Sequence, residues 1–313
     1  MKRLSLLLFL AAALLLPAIS KAANPFAGRW DITITPTAAS GKPYPDWMEL
    51  AEKDGKTAMR IQPRSGSAYE VKEFQVAGSH LSIHASPASA KGPATTWELD
   101  LQHDKLTGTQ KRGDAVIAGI SGVRAPLLDR KPPNAWTTPE PLFTGKDLAG
   151  WEPSDPATNH WVAKNGELLN ESKGANLKTT RKFDDFKLHI EYNCPEEGNS
   201  GIYMRGRYEV QVEYEKVDAN DKFHSIGAIY SFVAPAVELP RKPGTWESFD
   251  ITFVGRHITI VRNGVKTIDN QEIAGITGGA LDANEGEPGP FYIQGDHTGG
   301  MKYRNITISL PKH

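Results

Sequence analysis

The sequence predicts an all-β protein, with a smaller β-barrel-like domain followed by a larger jelly-roll sandwich. Short segments in which every second residue is apolar recur along the chain, separated by Gly, Pro and Asn turns. No segment carries a sustained apolar period of about 3.6 residues, the pattern typical of a helix. The 313 residues include 29 Gly, 22 Pro and a single Cys, which excludes a disulfide scaffold and a cysteine-rich metal site.

The charges are balanced, which limits the classes of partner. The 36 Lys and Arg residues face 37 Asp and Glu residues, for a formal net charge of −1 at pH 7. A nucleic-acid-binding protein usually carries a broad basic field. We therefore expect no nucleic-acid partner.

Residues 1–22 have the layout of a signal peptide. Lys2 and Arg3 precede an apolar run, Leu4–Leu16, and Ser20-Lys21-Ala22 supplies small residues at a cleavage site. The run is shorter than the about 20 residues that span a bilayer, and no later segment approaches that length. We expect an exported protein, periplasmic or secreted, without a membrane span.

Residues 23–130 are interpreted as the smaller domain, whose role the sequence does not indicate. Trp30–Ile34 alternates as a strand. Two hairpins follow, Ala68–Val76 with His80–His84 and Thr96–Leu101 with Lys105–Gln110, each around a short turn. A closed barrel suits this strand content, because closure removes the sheet edges.

Residues 131–141 contain four prolines and are predicted to be the linker between the domains. Residues 142–313 then return to alternating strands, and Asn263-Gly264 is typical of a type I′ hairpin. The predicted strands of this domain are Lys187–Asn193, Ile202–Tyr214, Ile226–Phe232, Trp246–Val254, His257–Arg262, Phe291–Gln294 and Lys302–Leu310. About 170 residues with strands at this spacing favour a jelly-roll sandwich.

One predicted strand, Ile202–Tyr214, carries most of the polar chemistry. Alternate residues of a strand share a face, so one face is apolar and the other is a continuous polar row. That row consists of Tyr203, Arg205, Arg207, Glu209, Gln211 and Glu213. It is either a solvated face with ion pairs or a binding face, since Arg, Glu and Gln offer planar donors and acceptors for sugar hydroxyls. The preceding turn, Glu197–Gly201, has glycines that could bring the backbone close to a ligand.

The spacing of the carboxylates on this strand argues against an ordinary glycosidase. Glu209 and Glu213 lie four residues apart, which places their Cα atoms about 13 Å apart on one strand. A retaining pair needs about 5–5.5 Å and an inverting pair about 6.5–9.5 Å. A second carboxylate from another strand, Asp250 or Asp296, stays open.

His297 is the candidate proton-transfer group outside this strand. It follows the short apolar strand that ends at Ile293 and lies in Gln294-Gly295-Asp296-His297-Thr298-Gly299-Gly300. A histidine titrates near neutral pH and suits general acid–base catalysis. The other histidines singled out, His160, His189, His224 and His257, are interpreted as structural, and the acidic segment Asp282–Glu287 as a solvated loop.

Several segments together resemble the 3-keto-disaccharide hydrolase domain family over about residues 142–310. They are Leu142-Phe143-Thr144-Gly145-Lys146-Asp147-Leu148-Ala149-Gly150-Trp151, the central Asn199–Val212, Gly289-Pro290-Phe291-Tyr292-Ile293-Gln294-Gly295-Asp296-His297, and Tyr303-Arg304-Asn305-Ile306. The resemblance implies a concanavalin A-like jelly roll. It also implies activity on glycosides whose C3 hydroxyl has been oxidised to a ketone.

A C3 ketone acidifies the C2 proton, so a base can remove it and the C1 substituent leaves by β-elimination. Water then adds, and the net reaction is hydrolysis. On this hypothesis His297 or Glu209 is the C2 base and the other is the acid, and Arg205, with Arg207, stabilises the enolate oxygen. The expected substrate-binding residues are Arg207, Gln211, Asp296, Tyr203 and Asn199. The sequence leaves open a divalent metal with Glu209 or His297 as ligands.

The alternative function is a carbohydrate-binding jelly roll without catalysis, for which the same polar face would serve. A third hypothesis, a glycosidase acting on unoxidised glycan, is disfavoured by the carboxylate spacing.

Overall fold

The computed structural model describes residues 24–53, 56–86, 93–216 and 221–312. The predicted signal peptide lies outside these residues. The described chain is all-β, as predicted, with one short 3₁₀ turn at Pro156–Thr158 and no α-helix in the described ranges. Within them, none of the helical structure is long and apolar enough to cross a membrane.

The described part of the N-terminal region folds into one nine-stranded antiparallel sheet with the order β4-β3-β2-β1-β9-β8-β7-β6-β5. Its strands are β1 (Gly28–Pro36), β2 (Tyr44–Lys53), β3 (Lys56–Gln62), β4 (Tyr69–Glu70), β5 (Glu73–Ala77), β6 (His80–Ala85), β7 (Thr95–Gln102), β8 (Lys105–Arg112) and β9 (Ala115–Arg124). The two edge strands are joined by only Val71 and Lys72, so the sheet curls back on itself and is barrel-like. Its core holds Trp30, Ile32 and Trp97.

The C-terminal region forms two further sheets from the described residues. Its strands are β10 (Glu140–Pro141), β11 (Trp151–Pro153), β12 (Trp161–Lys164), β13 (Glu167–Asn170), β14 (Leu177–Thr179), β15 (Phe186–Asn193), β16 (Asn199–Met204), β17 (Tyr208–Glu213), β18 (Trp246–Val254), β19 (His257–Arg262), β20 (Val265–Glu272), β21 (Tyr292–Ile293) and β22 (Lys302–Ser309). One sheet has the order β12-β13-β22-β15-β18-β19-β20, with β10 paired to β22; the other has the order β11-β14-β21-β16-β17.

The two sheets share one apolar core, as expected for a sandwich. Phe249 and Ile251 of β18 belong to the same buried cluster as Ile202, Val210 and Val212 of the β16–β17 hairpin. Burying apolar faces of both sheets against each other is the main driving force for this architecture. The predicted jelly-roll sandwich is confirmed. The domain boundary at residues 131–141 stays a prediction; within it, β10 pairs with the last strand of the chain.

Three predicted strands are wrong. The segment Ala68–Val76 is split into β4 and β5, which lie at the two edges of the nine-stranded sheet, and only β5 pairs with β6. The segment Ile202–Tyr214 is a hairpin, because Arg205 and Gly206 have φ values of 52° and 68° and reverse the chain. Successive left-handed residues are what a type I′ turn requires. The segment Ile226–Phe232 makes only isolated bridges, because Gly227 and Ser231 have φ values of 81° and 69° and turn the backbone out of an extended path.

The nine-stranded sheet is docked against the sandwich by buried contacts. The Trp47 ring packs edge-on against Phe232, with ring centroids 5.5 Å apart. Between Ser65 and Gly278 a backbone N–H donates to a carbonyl across 2.7 Å. Arg256 donates to the Pro126 carbonyl at 3.0 Å. The two parts of the chain therefore bury side chains against each other.

A buried carboxyl pair also joins the two parts. Asp31 of β1 lies against Glu285, which is fully buried, accepts from Tyr208 Oη at 2.8 Å and pairs with Arg256. The acidic segment Asp282–Glu287, which was predicted to be a solvated loop, is therefore partly buried between the two parts of the chain. Asp31 Oδ1 and Glu285 Oε1 have no donor within the described residues, which fits a proton held between them. Burial, with the Glu285 charge, raises the pKa of Asp31 to about 9.

The proton on Asp31 makes stability depend on pH. The folded protein keeps this proton up to about pH 9, whereas an unfolded chain releases it above its ordinary value of 3.8, so the unfolding free energy falls as pH rises between them. We expect Asp31→Asn to remove this slope and to stabilise the protein by about 1–3 kcal/mol at pH 9 relative to the wild type. Urea unfolding of both proteins at pH 6 and pH 9 measures the change in unfolding free energy with pH. Asp104→Asn, an exposed aspartate, is the control; equal slopes for Asp31→Asn and the wild type would contradict the account.

Candidate active site

A cleft of about 380 Å³ lies between the β16–β17 hairpin and the nine-stranded sheet. Its described lining residues are Ser65, Gly66, Ser67, Asn199, Tyr203, Glu209, Gln211, Glu213, Glu215, Asp221, His224, Tyr230, Gly278, Gly279, Tyr292, Gln294, Asp296 and His297. Most of these side chains are polar, and the set joins residues from both ends of the chain.

The hairpin register brings the floor of the cleft together. Tyr203 pairs with Glu209, Gly201 with Gln211, and Asn199 with Glu213, so these side chains face the same side. Each of the pairs lies under the cleft rather than in solvent, and Glu209 is 4% exposed. The predicted polar face is thus covered.

Gly201 is required at its position by close approach. A Cβ atom there would lie about 2.9 Å from the Cγ and Cδ carbons of Glu209, so a larger residue would displace the carboxylate. The glycine in Asn199-Ser200-Gly201 therefore makes room for the Glu209 side chain.

Glu209 is held by hydrogen bonds to neutral groups. The Tyr203 hydroxyl donates to Glu209 Oε2 at 2.7 Å, and Gln294 Nε2 donates to the Tyr203 oxygen at 2.9 Å. The Glu209 backbone N–H donates to Thr277 Oγ1 at 3.2 Å. These bonds fix one carboxylate oxygen of Glu209.

Burial sets the protonation of Glu209. Desolvation raises the pKa of Glu209 to about 7, although the Tyr203 hydrogen bond and the nearby His297 act to lower it. A carboxyl group with this pKa exchanges its proton readily at neutral pH, which is what a general base requires. Burial likewise raises the pKa of Glu213 to about 7.

His297 is oriented by its own loop. Its Nδ1 lies 3.1 Å from Asp296 Oδ1, and this contact raises the pKa of His297. The loop is anchored because Asn176 Oδ1 accepts from the backbone N–H groups of Gly295 at 2.7 Å and Asp296 at 3.2 Å. His297 is therefore a protonated donor over more of the neutral range than an isolated histidine.

Other buried atoms of the cleft lack partners. Gln211 Oε1, Gln294 Oε1 and both carboxylate oxygens of Glu213 accept no hydrogen bond from the described residues. Buried acceptors without donors are costly, so a ligand carrying hydroxyl groups would satisfy them. The donor set for a metal is a poor fit: across the described ranges, no three His, Cys, Asp or Glu side chains meet in an arrangement that could hold an ion.

Two expected site residues lie elsewhere. Arg205 is fully buried at the hairpin tip, where its guanidinium donates to Asp184 at 3.0 Å and to the Gly255 carbonyl at 3.1 Å. Arg207 donates to Asp282 at 2.7 Å. The expectation that both arginines share the face of Glu209 was wrong, because the chain reverses at Arg205 instead of continuing as one strand.

The remaining expected residues do meet in the cleft, namely Glu209, His297, Gln211, Asp296, Tyr203 and Asn199. Sequence reasoning missed several others. Gln294 could have been found from its place directly before the Gly295-Asp296-His297 turn. Nothing in the sequence signals that Ser67 would lie here, since it comes from the other end of the chain. His224, interpreted as structural, also lines the cleft.

The arrangement can transfer protons and bind hydroxyls. A buried carboxyl with a pKa near neutrality and a histidine paired with a carboxylate lie beside unpartnered acceptors. None of the described lining residues is Lys or Arg, so the cleft does not favour an anionic ligand.

Comparisons with known proteins found solved structures and a family that this chain resembles. Three solved structures from Parabacteroides distasonis ATCC 8503, each assigned as a glycosyl hydrolase, are similar to the chain. The first is 29% identical over 53% of this chain and 81% of its own, with a TM-score of 0.45. The second is 18% identical over 54% of this chain and 92% of its own, with a TM-score of 0.46. The third is 22% identical over 56% of this chain and 98% of its own, with a TM-score of 0.42. A comparison with curated proteins found no significant match.

A family model, the 3-keto-alpha-glucoside-1,2-lyase-like domain, matches residues 138–309. This range includes the sandwich and almost all of the polar floor of the cleft. Because the match spans more than half of the 313 residues, the chain belongs to the 3-keto-alpha-glucoside-1,2-lyase-like domain family and has a carbohydrate-active role.

Proposed function

We propose that this protein cleaves 3-keto-glycosides by C2 deprotonation, β-elimination and rehydration. The observation that carries the proposal is Glu209, a buried carboxyl with a pKa of about 7 that faces the cleft beside His297. A C3 ketone acidifies the C2–H bond, so a base of this modest strength is sufficient. Membership of the family supports the same chemistry.

The proton transfers balance between two residues. Ionised Glu209 takes the C2 proton, the electron pair forms the C1–C2 double bond, and the C1–O bond breaks as protonated His297 donates to the leaving oxygen. Water then adds at C1: His297 takes its proton, and Glu209 returns a proton to C2. Both groups end in their starting states, and the net reaction is hydrolysis.

In this proposal neutral donors of the cleft, rather than arginines, stabilise the enolate oxygen. Arg205 and Arg207 are not available for this role because they donate to Asp184 and Asp282 outside the cleft. Tyr203 already orients Glu209, and the amide groups of Gln211 and Asn199 are positioned to hold sugar hydroxyls. Asp296 positions His297 and also lies at the cleft wall. No step here is routed through a metal ion.

The spacing of Glu209 and Glu213 supports elimination over a glycosidase that would use these two carboxylates. Glu209 and Glu213 occupy one strand, four residues apart, at about 13 Å between Cα atoms. That is wider than either glycosidase arrangement. An elimination needs one base and one acid rather than two carboxylates at fixed separation.

We also propose that the protein is exported, because residues 1–22 have the layout of a signal peptide.

A carbohydrate-binding protein without catalysis is the second candidate. The unpartnered oxygens of Gln211, Glu213 and Gln294 favour it, since they would bind sugar hydroxyls whether or not a bond is cleaved. The first candidate would turn over a 3-keto-glycoside, whereas the second would bind a sugar and release no product.

We expect the purified protein to release 4-nitrophenol from 4-nitrophenyl 3-keto-glucoside and not from the unoxidised glucoside. Absorbance measures release, and a parallel assay with EDTA tests dependence on a divalent metal. With a C2-deuterated keto substrate, the label should pass into water, because the C2–H bond breaks during elimination. Release from neither substrate, with sugar binding retained, would favour the second candidate.

We expect Glu209→Gln and His297→Ala each to lower kcat/KM for the keto-glucoside at least 100-fold, because each removes a proton-transfer group. The matched controls are Glu191→Gln, a carboxyl paired with Arg304 on the other sheet, and His189→Ala, a histidine that contacts Asp250 on that sheet. Both controls should lose less than tenfold. Full turnover by folded Glu209→Gln and His297→Ala would exclude the assignment.

The pH profile should move in opposite directions for two variants. The rate needs Glu209 ionised and His297 protonated, so the acid limb follows the pKa of Glu209 and the alkaline limb that of His297. Asp296 raises both pKa values, so Asp296→Asn should shift both limbs to lower pH. Tyr203 lowers the pKa of Glu209, so Tyr203→Phe should shift the acid limb to higher pH. Profiles of kcat/KM between pH 5 and 10 test this; unshifted limbs would contradict the roles of Glu209 and His297.

A further inference from the structure

A second group of side chains in the cleft takes no part in the proposed elimination. Ser67 Oγ lies 2.6 Å from His224 Nε2, and His224 Nδ1 lies 2.5 Å from Asp221 Oδ2. The two ring nitrogens of His224 therefore bind a hydroxyl on one side and a carboxylate on the other. This is the order of contacts found among nucleophile, base and orienting acid in serine hydrolases.

The position of Ser67 is fixed by the contacts on both sides of it. The Ser65 N–H donates to the Gly278 carbonyl at 2.7 Å, and the Ala68 N–H donates to Ser231 Oγ at 2.7 Å. These bonds tie the loop between β3 and β4 to the sandwich, one residue or two from the hydroxyl. The nine-stranded sheet thus supplies the serine, and the sandwich supplies the histidine and the carboxylate.

His224 is held equally firmly. Asp221 precedes it by three residues, so both come from one short segment. The His224 ring packs edge-on against Tyr230, with ring centroids 4.5 Å apart. Because the carboxylate holds Nδ1, Nε2 is left to act on the serine.

We infer that Ser67, His224 and Asp221 form a serine hydrolase site that removes small acyl groups, such as acetyl, from sugar hydroxyls bound in this cleft. Ser67 is the nucleophile, His224 the general base and Asp221 the residue that orients it. The ligand is an O-acylated sugar because the same cleft presents the unpartnered acceptors of Gln211 and Glu213.

The reaction balances with water as the only co-reactant. His224 takes the Ser67 proton as Oγ bonds to the acyl carbon, and the ester C–O bond breaks as His224 returns that proton to the sugar oxygen. His224 then deprotonates a water as it attacks the acyl carbon, and the bond from that carbon to Ser67 Oγ breaks as His224 returns the proton to Oγ. The products are the free sugar hydroxyl and a carboxylic acid, and the serine is regenerated.

Tyr230 is placed to stabilise the oxyanion. Its hydroxyl lies 3.5 Å from Ser67 Oγ, which is too long for a strong hydrogen bond between them. An ester carbonyl attacked by Ser67 would bring its oxygen next to this hydroxyl, a donor of the kind found in oxyanion holes. Burial raises the pKa of Tyr230, so the donor proton stays in place at neutral pH.

Active-site labelling tests the nucleophile without a mutation. We expect a fluorophosphonate probe to modify the wild-type protein once and peptide mapping to place the label on Ser67, because the adjacent histidine activates that hydroxyl. Ser82, which contacts Glu98 on the nine-stranded sheet, is the internal control and should stay unlabelled. A protein that is not labelled, or is labelled elsewhere, would overturn the inference and leave Ser67–His224 as a docking contact.

Ester hydrolysis supplies the second test. We expect the protein to hydrolyse 4-nitrophenyl acetate and an acetylated glucoside, with losses in kcat/KM of at least 100-fold in Ser67→Ala and His224→Gln. Ser82→Ala is the control, and thermal unfolding checks that each variant is folded. Equal hydrolysis by folded Ser67→Ala would also overturn the inference. Because the esters carry no ketone, failure here and failure of the keto-glucoside assay are distinguishable.

Discussion

The hydrogen bond from Tyr203 to Glu209 across the β16–β17 hairpin is the interaction on which the cleft depends. It exists because the chain reverses at Arg205 and Gly206, which places the two residues opposite each other. Removing a carboxylate from water is expensive, and a single neutral donor does not offset the whole cost. Glu209 therefore exchanges its proton near neutral pH, so the burial that the hairpin imposes on this carboxyl group sets its pKa.

One short loop connects this floor to the rest of the molecule. Thr277 accepts from the Glu209 backbone and donates to the Arg207 carbonyl. The next residue, Gly278, accepts from the backbone N–H of Ser65, in the loop between β3 and β4 of the nine-stranded sheet. Gly279 leaves no room for a side chain, because a Cβ atom there would lie 2.9 Å from Tyr203 Cζ. The loop thus ties the position of Ser67 to the position of Glu209, so that both side chains line one cleft.

The charge of the cleft fits uncharged ligands. Its described walls carry Glu209, Glu213, Glu215, Asp221 and Asp296, and no Lys or Arg is among the described lining residues. Anionic substrates would be repelled, whereas hydroxyl groups can donate to the many acceptors. Two arginines that the sandwich does bury pair with acids away from the cleft: Arg205 with the partly exposed Asp184, and Arg262 with the buried Glu247 of the opposite sheet.

The sequence by itself determined the all-β architecture, five strands of the sandwich (β15, β18, β19, β21 and β22), the family and the choice of Glu209 and His297 as candidate acid and base. These follow from local patterns: period-two alternation, turn residues and motifs that lie in continuous segments. Only the tertiary structure decided that Arg205 and Arg207 leave the cleft, because two consecutive left-handed residues reverse the chain at this point and place both arginines at the tip of a hairpin. It alone placed Ser67 beside His224, 157 residues apart, because contacts between distant segments depend on how whole sheets dock, which no local pattern records.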